Sequence, residues 1–107
     1  MTNIIMKSDK LFIAKLEMAI YQCTDMEMEL IKSKTRKAEV VIVRFIQAWL
    51  MKKYTLMSLC SIGKHLGGRD HSTIIHVLKT IEDWYEQPKM YAAELRLLDM
   101  IESEVQA

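Results

Sequence analysis

Residues 67–77 read GGRDHSTIIHV. Two glycines can take the positive φ at which a helix ends sharply. Asp70 is a side chain suited to capping the helix that follows, and His71, Ser72 and Thr73 fill that helix's first turn with short hydrogen-bonding groups. Two chemistries suit such a turn. Its free N–H groups and the positive end of the helix dipole favour a phosphate. Its side chains can also reach base edges: Asp70 can accept from a cytosine amino group, His71 and Thr73 can bond a base or a phosphate, and the Thr73 methyl can meet a thymine methyl. His76 lies on the same face one turn later. This is the layout of a recognition helix, and the helix-turn-helix it implies covers residues 58–82. A plainer reading stays open for His71, as an ordinary residue at a helix start.

The elements that must position this turn follow from caps and periodicity. Ser58 caps the first helix of the pair, and Leu59, Ile62 and Leu66 form its buried stripe. The second runs from 71 to about 85. Its inner face is Ile74, Ile75, Leu78, Ile81 and Tyr85, and its outer face is Ser72, Thr73, His76, Lys79 and Thr80. Upstream, Ser8 or Asp9 can cap a helix to about residue 22, with Leu11, the aliphatic stem of Lys15, Met18 and Ile20 or Tyr21 inward. Thr24 and Glu27 have capping-box spacing, which predicts a short helix ending at 31 or 32. The run SKTRK is then a loop. Residues 38–54 form a helix that is apolar nearly all round, so Arg44 and Gln47, three apart, are expected to mark its one wet strip. The β-branched run at 40–43 continues into this pattern and reads as helix. Pro88 suits the first turn of a last helix, about 89–104, with Tyr91, Leu95, Leu98, Ile101 and Val105 in one stripe. The expected fold class is all-α, with about six helices around a helix-turn-helix.

Bulk properties narrow the function. The chain has 107 residues, enough for one domain and one core. Nine Met at helical spacings read as flexible core filler, with a Met-rich partner surface as the alternative. Two isolated cysteines, Cys23 and Cys60, do not make a disulfide framework. The start, MTNIIMKSDK, lacks the apolar core of a signal peptide, and no segment has the length of a membrane span. A cytoplasmic, nucleoid-associated protein without a membrane is expected. Net charge is only +1, but residues 32–80 hold ten basic side chains against two acidic ones, between two acidic ends. That is the footprint of a phosphate-binding face, although solvated lysines would give the same count. Cys60, His65, His71 and His76 fit no structural zinc spacing, so no metal and no cofactor is expected. His65 reads as a packing or capping residue, and Trp49 and Trp84 as core anchors. Residues 61–64 lack the phosphate-cradling G-x-x-x-x-G-K-[ST] pattern, and no enzyme is expected.

The string GGRDHST resembles the signature of the C-terminal DNA-binding domain of the bacterial replication initiator DnaA. The resemblance extends upstream without a gap. SKTRKAEVVIVRFIQAWL, residues 33–50, is similar to that family's basic loop and long helix, and Leu59, Ile62 and Gly63 fall where the family has S-L-x-x-I-G. It covers residues 24–86, a DnaA domain IV or Trp-repressor type of core, with 88–107 an additional C-terminal helix. The resemblance implies double-stranded DNA as partner and a TTATCCACA-like box as target. It implies Arg36 in the minor groove, Arg44 in contact with DNA, Lys52 and Arg69 at phosphates, and Asp70, His71, Ser72 and Thr73 reading the major groove, with His76 on the same face one turn on.

The departures matter too. Ala38 and Ile42 stand at positions where the family is usually basic, Val43 and Phe45 replace Pro and Gln, and Cys60 replaces a frequent Pro. Each lost phosphate contact flattens the salt dependence of binding by about 0.9 log–log units, so weaker affinity than a full initiator domain is expected. No stretch of these 107 residues resembles the ATPase part of an initiator, so no ATPase activity is expected of them. The resemblance therefore implies a replication or transcription regulator without ATPase activity, with an excised piece of a longer initiator less expected. The rival is a protein-interaction module that has lost DNA binding and uses helix 89–105 to pair with itself or with a replication protein.

Overall fold

The computed structural model describes residues 6–107; residues 1–5, part of the start read above for a signal peptide, lie outside the described residues. Six α-helices follow in order: α1 Lys7–Thr24, α2 Met28–Lys32, α3 Ala38–Tyr54, α4 Leu59–His65, α5 His71–Glu86 and α6 Ala92–Gln106. The all-α expectation holds, and so do the bounds of α3 and the start of α5. Helix α3 lies in the middle and packs against α1, α2, α4, α5 and α6. Its Val40, Val43, Ile46, Ala48, Leu50 and Met51 are buried, as an almost wholly apolar helix requires. Ile62 and Leu66 of the α4 region and Ile74, Val77, Ile81 and Trp84 of α5 complete that side of the core.

Several local expectations are corrected. Helix α1 starts without a side-chain cap. Asp9 is instead buried, where its carboxylate accepts from the Leu56 N–H at 3.1 Å, tying α1 to the link between α3 and α4. The inward face of α1 is Ile13, Leu16, Ala19 and Ile20, whereas Leu11, Met18 and Tyr21 are exposed. The capping box at residues 24–27 does not form. Thr24 closes α1 by donating to the Ile20 carbonyl at 2.6 Å, and Asp25 turns the chain at φ 62°. In α5, Val77 and Trp84 are buried in place of Ile75 and Tyr85. Trp49 is partly buried, with its ring 5.9 Å from that of Tyr85.

Helix α6 begins at Ala92, after a turn that holds Pro88, and lies chiefly along α1. Its stripe is spent on the core: Leu98, Ile101 and Val105 are buried, with Tyr91 and Leu95 packed against the cluster. A polar clasp fastens its far side. Lys53 Nζ donates to Glu102 at 2.6 Å, and the Tyr54 hydroxyl donates to the same carboxylate. No described helix is long and apolar enough to cross a membrane, and the described residues hold no cluster of three or more His, Cys, Asp or Glu able to bind a metal.

Candidate nucleic-acid interface

The corner between α4 and α5 is built from backbone. Ser58 caps α4 by accepting from the Ser61 N–H at 3.1 Å. At the other end, the Gly68 and Arg69 N–H groups both donate to the Gly63 carbonyl, at 3.1 and 2.8 Å. Gly67 and Gly68 sit at φ 94° and 82°, where only glycine is free of strain. A Cβ on Gly67 would also stand 2.3 Å from the Lys32 carbonyl oxygen, and one on Gly63 would stand 1.9 Å from that of Arg69. Glycine thus does two jobs here. It reverses the chain and lets the corner close onto the end of α2.

Beyond the corner, Asp70 is the N-cap of α5. Its carboxylate accepts from the Thr73 N–H at 2.9 Å and from the Thr73 hydroxyl at 3.1 Å. These bonds, with the neighbouring His71, hold its pKa below the ordinary carboxylate value. His71, Ser72, Thr73, His76 and Lys79 are exposed along one face. The His76 ring meets Phe45 of α3 edge-on, with centroids 6.4 Å apart, so the second turn of this face leans on the central helix.

The loop at residues 33–37 is held differently. Its own side chains make three local bonds: Ser33 Oγ donates to the Leu30 carbonyl, the Thr35 N–H donates to Ser33 Oγ, and the Lys37 N–H donates to Thr35 Oγ1. Two arginines from elsewhere then grip its backbone. Arg44 Nε donates to the Ile31 carbonyl at 2.8 Å, and Nη2 donates to those of Ser33 and Thr35 at 3.0 and 3.3 Å. Arg69 Nη2 donates to the Ser33 carbonyl at 2.8 Å, and its Nη1 donates to those of Lys32 and Leu66. The two guanidinium groups converge on one oxygen, Ser33 O. Burial lowers the pKa of both, and the charge of Arg69 lowers that of Arg44 further.

This corrects the sequence reading of α3. Arg44 and Gln47 mark no wet strip, being 6% and 0% exposed. Arg44 Nε and Nη2 and both terminal nitrogens of Arg69 are engaged with main-chain carbonyls. An arginine on an apolar helix stays charged inside a protein when such carbonyls satisfy it.

The other expected residues divide by position. Arg36 is exposed on the gripped loop, with exposed Lys34 and Lys37 on either side. The contacts of Arg69 put this loop beside the start of α5, so Arg36 and residues 70–73 lie at one end of the molecule. Lys52 is exposed but is not brought there. The ring pairs Phe45–His76 and Trp49–Tyr85 give α3 and α5 a common direction. Lys52 therefore lies about 10 Å along α3 beyond Phe45, away from the loop. Sequence reading missed Lys34, Lys37 and Lys79 as members of the cluster, although the basic excess over residues 32–80 contained them. His65, expected to pack or cap, pairs with Glu17 at 2.8 Å and binds α4 to α1.

Comparison with known proteins gives this geometry a family. The family described as the bacterial DnaA protein helix-turn-helix matches residues 13–81. Among curated relatives, the chromosomal replication initiator protein DnaA of Bacteroides thetaiotaomicron is 39% identical over 72% of this chain and 16% of its own length. The DnaA of Flavobacterium psychrophilum is 38% identical over 62% of this chain and 14% of its own. That of Chlorobaculum tepidum is 52% identical over 49% of this chain and 10% of its own. The chain thus spans between about a tenth and a fifth of the length of the relatives it matches. No solved structure matches it. With its glycine corner, open helix start and basic loop, the chain belongs to the bacterial DnaA helix-turn-helix family, a DNA-binding module.

Proposed function

We propose that this chain reads a DnaA-box-like site in duplex DNA with two separate pieces: His71, Ser72 and Thr73 at the major groove and Arg36 in the adjacent minor groove. The observation that carries the reading is the shared carbonyl of Ser33. Through it Arg44 and Arg69 tie the loop bearing Arg36 to the corner from which α5 starts. In this reading Arg44 and Arg69 are positioning residues. Asp70 serves first as the cap that orders the turn, and His76 flanks it on the same face. Lys34 and Lys37 supply sequence-independent attraction to phosphates, whereas Lys52 is at most a peripheral contact. The process served is replication or transcription control at the nucleoid, by binding alone and without ATP hydrolysis.

Fluorescence anisotropy with a TTATCCACA duplex and a shuffled duplex, each at two salt concentrations, tests this. His71→Ala or Thr73→Ala is expected to lose about 1–3 kcal/mol on the box and little on the shuffled duplex. Lys34→Ala is expected to weaken both alike and to flatten the salt slope by about 0.9. Equal losses on both duplexes for His71→Ala contradict base reading.

A further inference from the structure

The face of α1 that was expected to point inward is instead an exposed apolar stripe. Leu11, Met18 and Tyr21 are 61%, 64% and 48% exposed, and Ala14 between them is exposed too. The spacing of Leu11, Ala14, Met18 and Tyr21 is 3-4-3, the seam of a two-helix coiled coil. Lys7, exposed, continues it by four residues at one end, and exposed Asp25 stands at the turn that closes the other. Helix α6 packs along α1 without covering this seam: Leu11, Met18 and Tyr21 stay exposed, although Met18 borders a groove shared with Val105 and Ala107.

The seam is self-complementary when reversed. Placed antiparallel about Leu16, Leu11 of one copy comes level with Tyr21 of the other, Ala14 with Met18, and Lys7 with Asp25. Each apolar layer then pairs a smaller side chain with a larger one. The charges match as well: Lys7 and Lys10 lie at one end, while Asp25, Glu27 and Glu29, all exposed, lie at the other. A groove lined by Ala14, Met18, Tyr21, Met26 and Met28 runs beside the seam at the acidic end and can seat the partner's basic end. A parallel pairing would stack like charges at both ends. Glu17, on the edge of the seam, already has His65 as partner, and exposed Lys15 flanks the midpoint.

We propose that α1 is a homodimerisation seam, on which a second copy of this chain docks antiparallel through Leu11, Ala14, Met18 and Tyr21 with the Lys7 and Asp25 ends paired. The interface is isologous, one patch meeting itself, and the end charges set its direction more than its strength. It involves none of the residues assigned to DNA, so it stands or falls independently of that reading.

Sedimentation velocity over rising concentration is expected to approach twice the 12.5 kDa chain mass. Met18→Glu, which buries a charge in the seam, is expected to weaken association on the order of tenfold or more. Its circular dichroism should be unchanged, since Met18 makes no core contribution, and Leu11→Lys provides a second variant at the other end. Direction is read by cross-linking in a background with Cys23→Ser and Cys60→Ser. A mixture of Ala14→Cys and Met18→Cys chains is expected to form the mixed disulfide in preference to either homodisulfide. Four outcomes overturn the proposal: a monomer at every concentration, association indifferent to Met18→Glu and Leu11→Lys, a preference for homodisulfides, or a monomeric chain whose seam is taken up by lipid vesicles.

Discussion

The corner at residues 66–70 and the loop at residues 33–37 are both irregular, and they are stabilised in opposite ways. The corner holds itself: its glycines, the Gly63 carbonyl and the cap residue Asp70 all lie within a few positions of one another. The loop has three local side-chain bonds, but its carbonyls are held by others, through Arg44 eleven residues away from Ser33 and Arg69 thirty-six away. A self-holding segment can be recognised from its own residues, whereas a borrowed hold is invisible until the fold brings the lender near. The two meet because Arg69, part of the corner, is one of the lenders.

Substitutions can separate the two kinds of hold. The largest effect is expected at Gly63→Ala. Its methyl would collide with the Arg69 main chain, which cannot move without opening the corner, so a loss of about 3 kcal/mol or more is expected in denaturant unfolding. Next is Arg44→Met, which keeps the volume but releases the Ile31 and Thr35 carbonyls and leaves that of Ser33 to Arg69 alone, at about 2–4 kcal/mol. Hydrogen exchange should then quicken at residues 33–37 while the amides of α5 stay protected, and box affinity should fall in a protein that is still folded. Equal quickening in both segments would mean that the corner leans on the loop as well, and the contrast would fail.

Gln47→Met sharpens the contrast from the other side. Gln47 is buried on the same helix as Arg44, yet neither end of its amide has a hydrogen-bond partner among the described residues. Replacing it is expected to stabilise by about 1–3 kcal/mol, read as a higher denaturation midpoint. Burial of a polar side chain helps only where acceptors await it.

The smallest effect is at Asp70. Its native pKa lies below the ordinary value, so its capping contribution is fully present above about pH 4 and is lost as pH falls through the lowered value. Asp70→Asn keeps an acceptor at the cap and should remove that acid dependence from the melting temperature, with little change at neutral pH.

The same division explains what could be read in advance. Ser58, Gly67, Gly68 and Asp70 announce their roles through type and spacing, and the starts of α4 and α5 follow from them. The facing of α1 was misread because the helix carries two apolar stripes. One holds Leu11, Met18 and Tyr21, the other Ile13, Leu16 and Ile20, and only packing against α3 and α6 selects the second. Arg44 was misread for a related reason. On an apolar helix a lone arginine suggests solvent or DNA, and nothing nearby in sequence reveals that the carbonyls of Ile31, Ser33 and Thr35 will be folded over it. His71 and Thr73 were legible as exposed polar residues because a capped helix start leaves its first turn open.

The grip on the loop falls on main-chain oxygens, which every amino acid supplies. The letters at positions 34, 36 and 37 can therefore change while the frame that presents them stays put. A repertoire of binders with altered preferences could be drawn from this scaffold by randomising those three positions, provided that the two arginine clamps and the glycine corner are left alone.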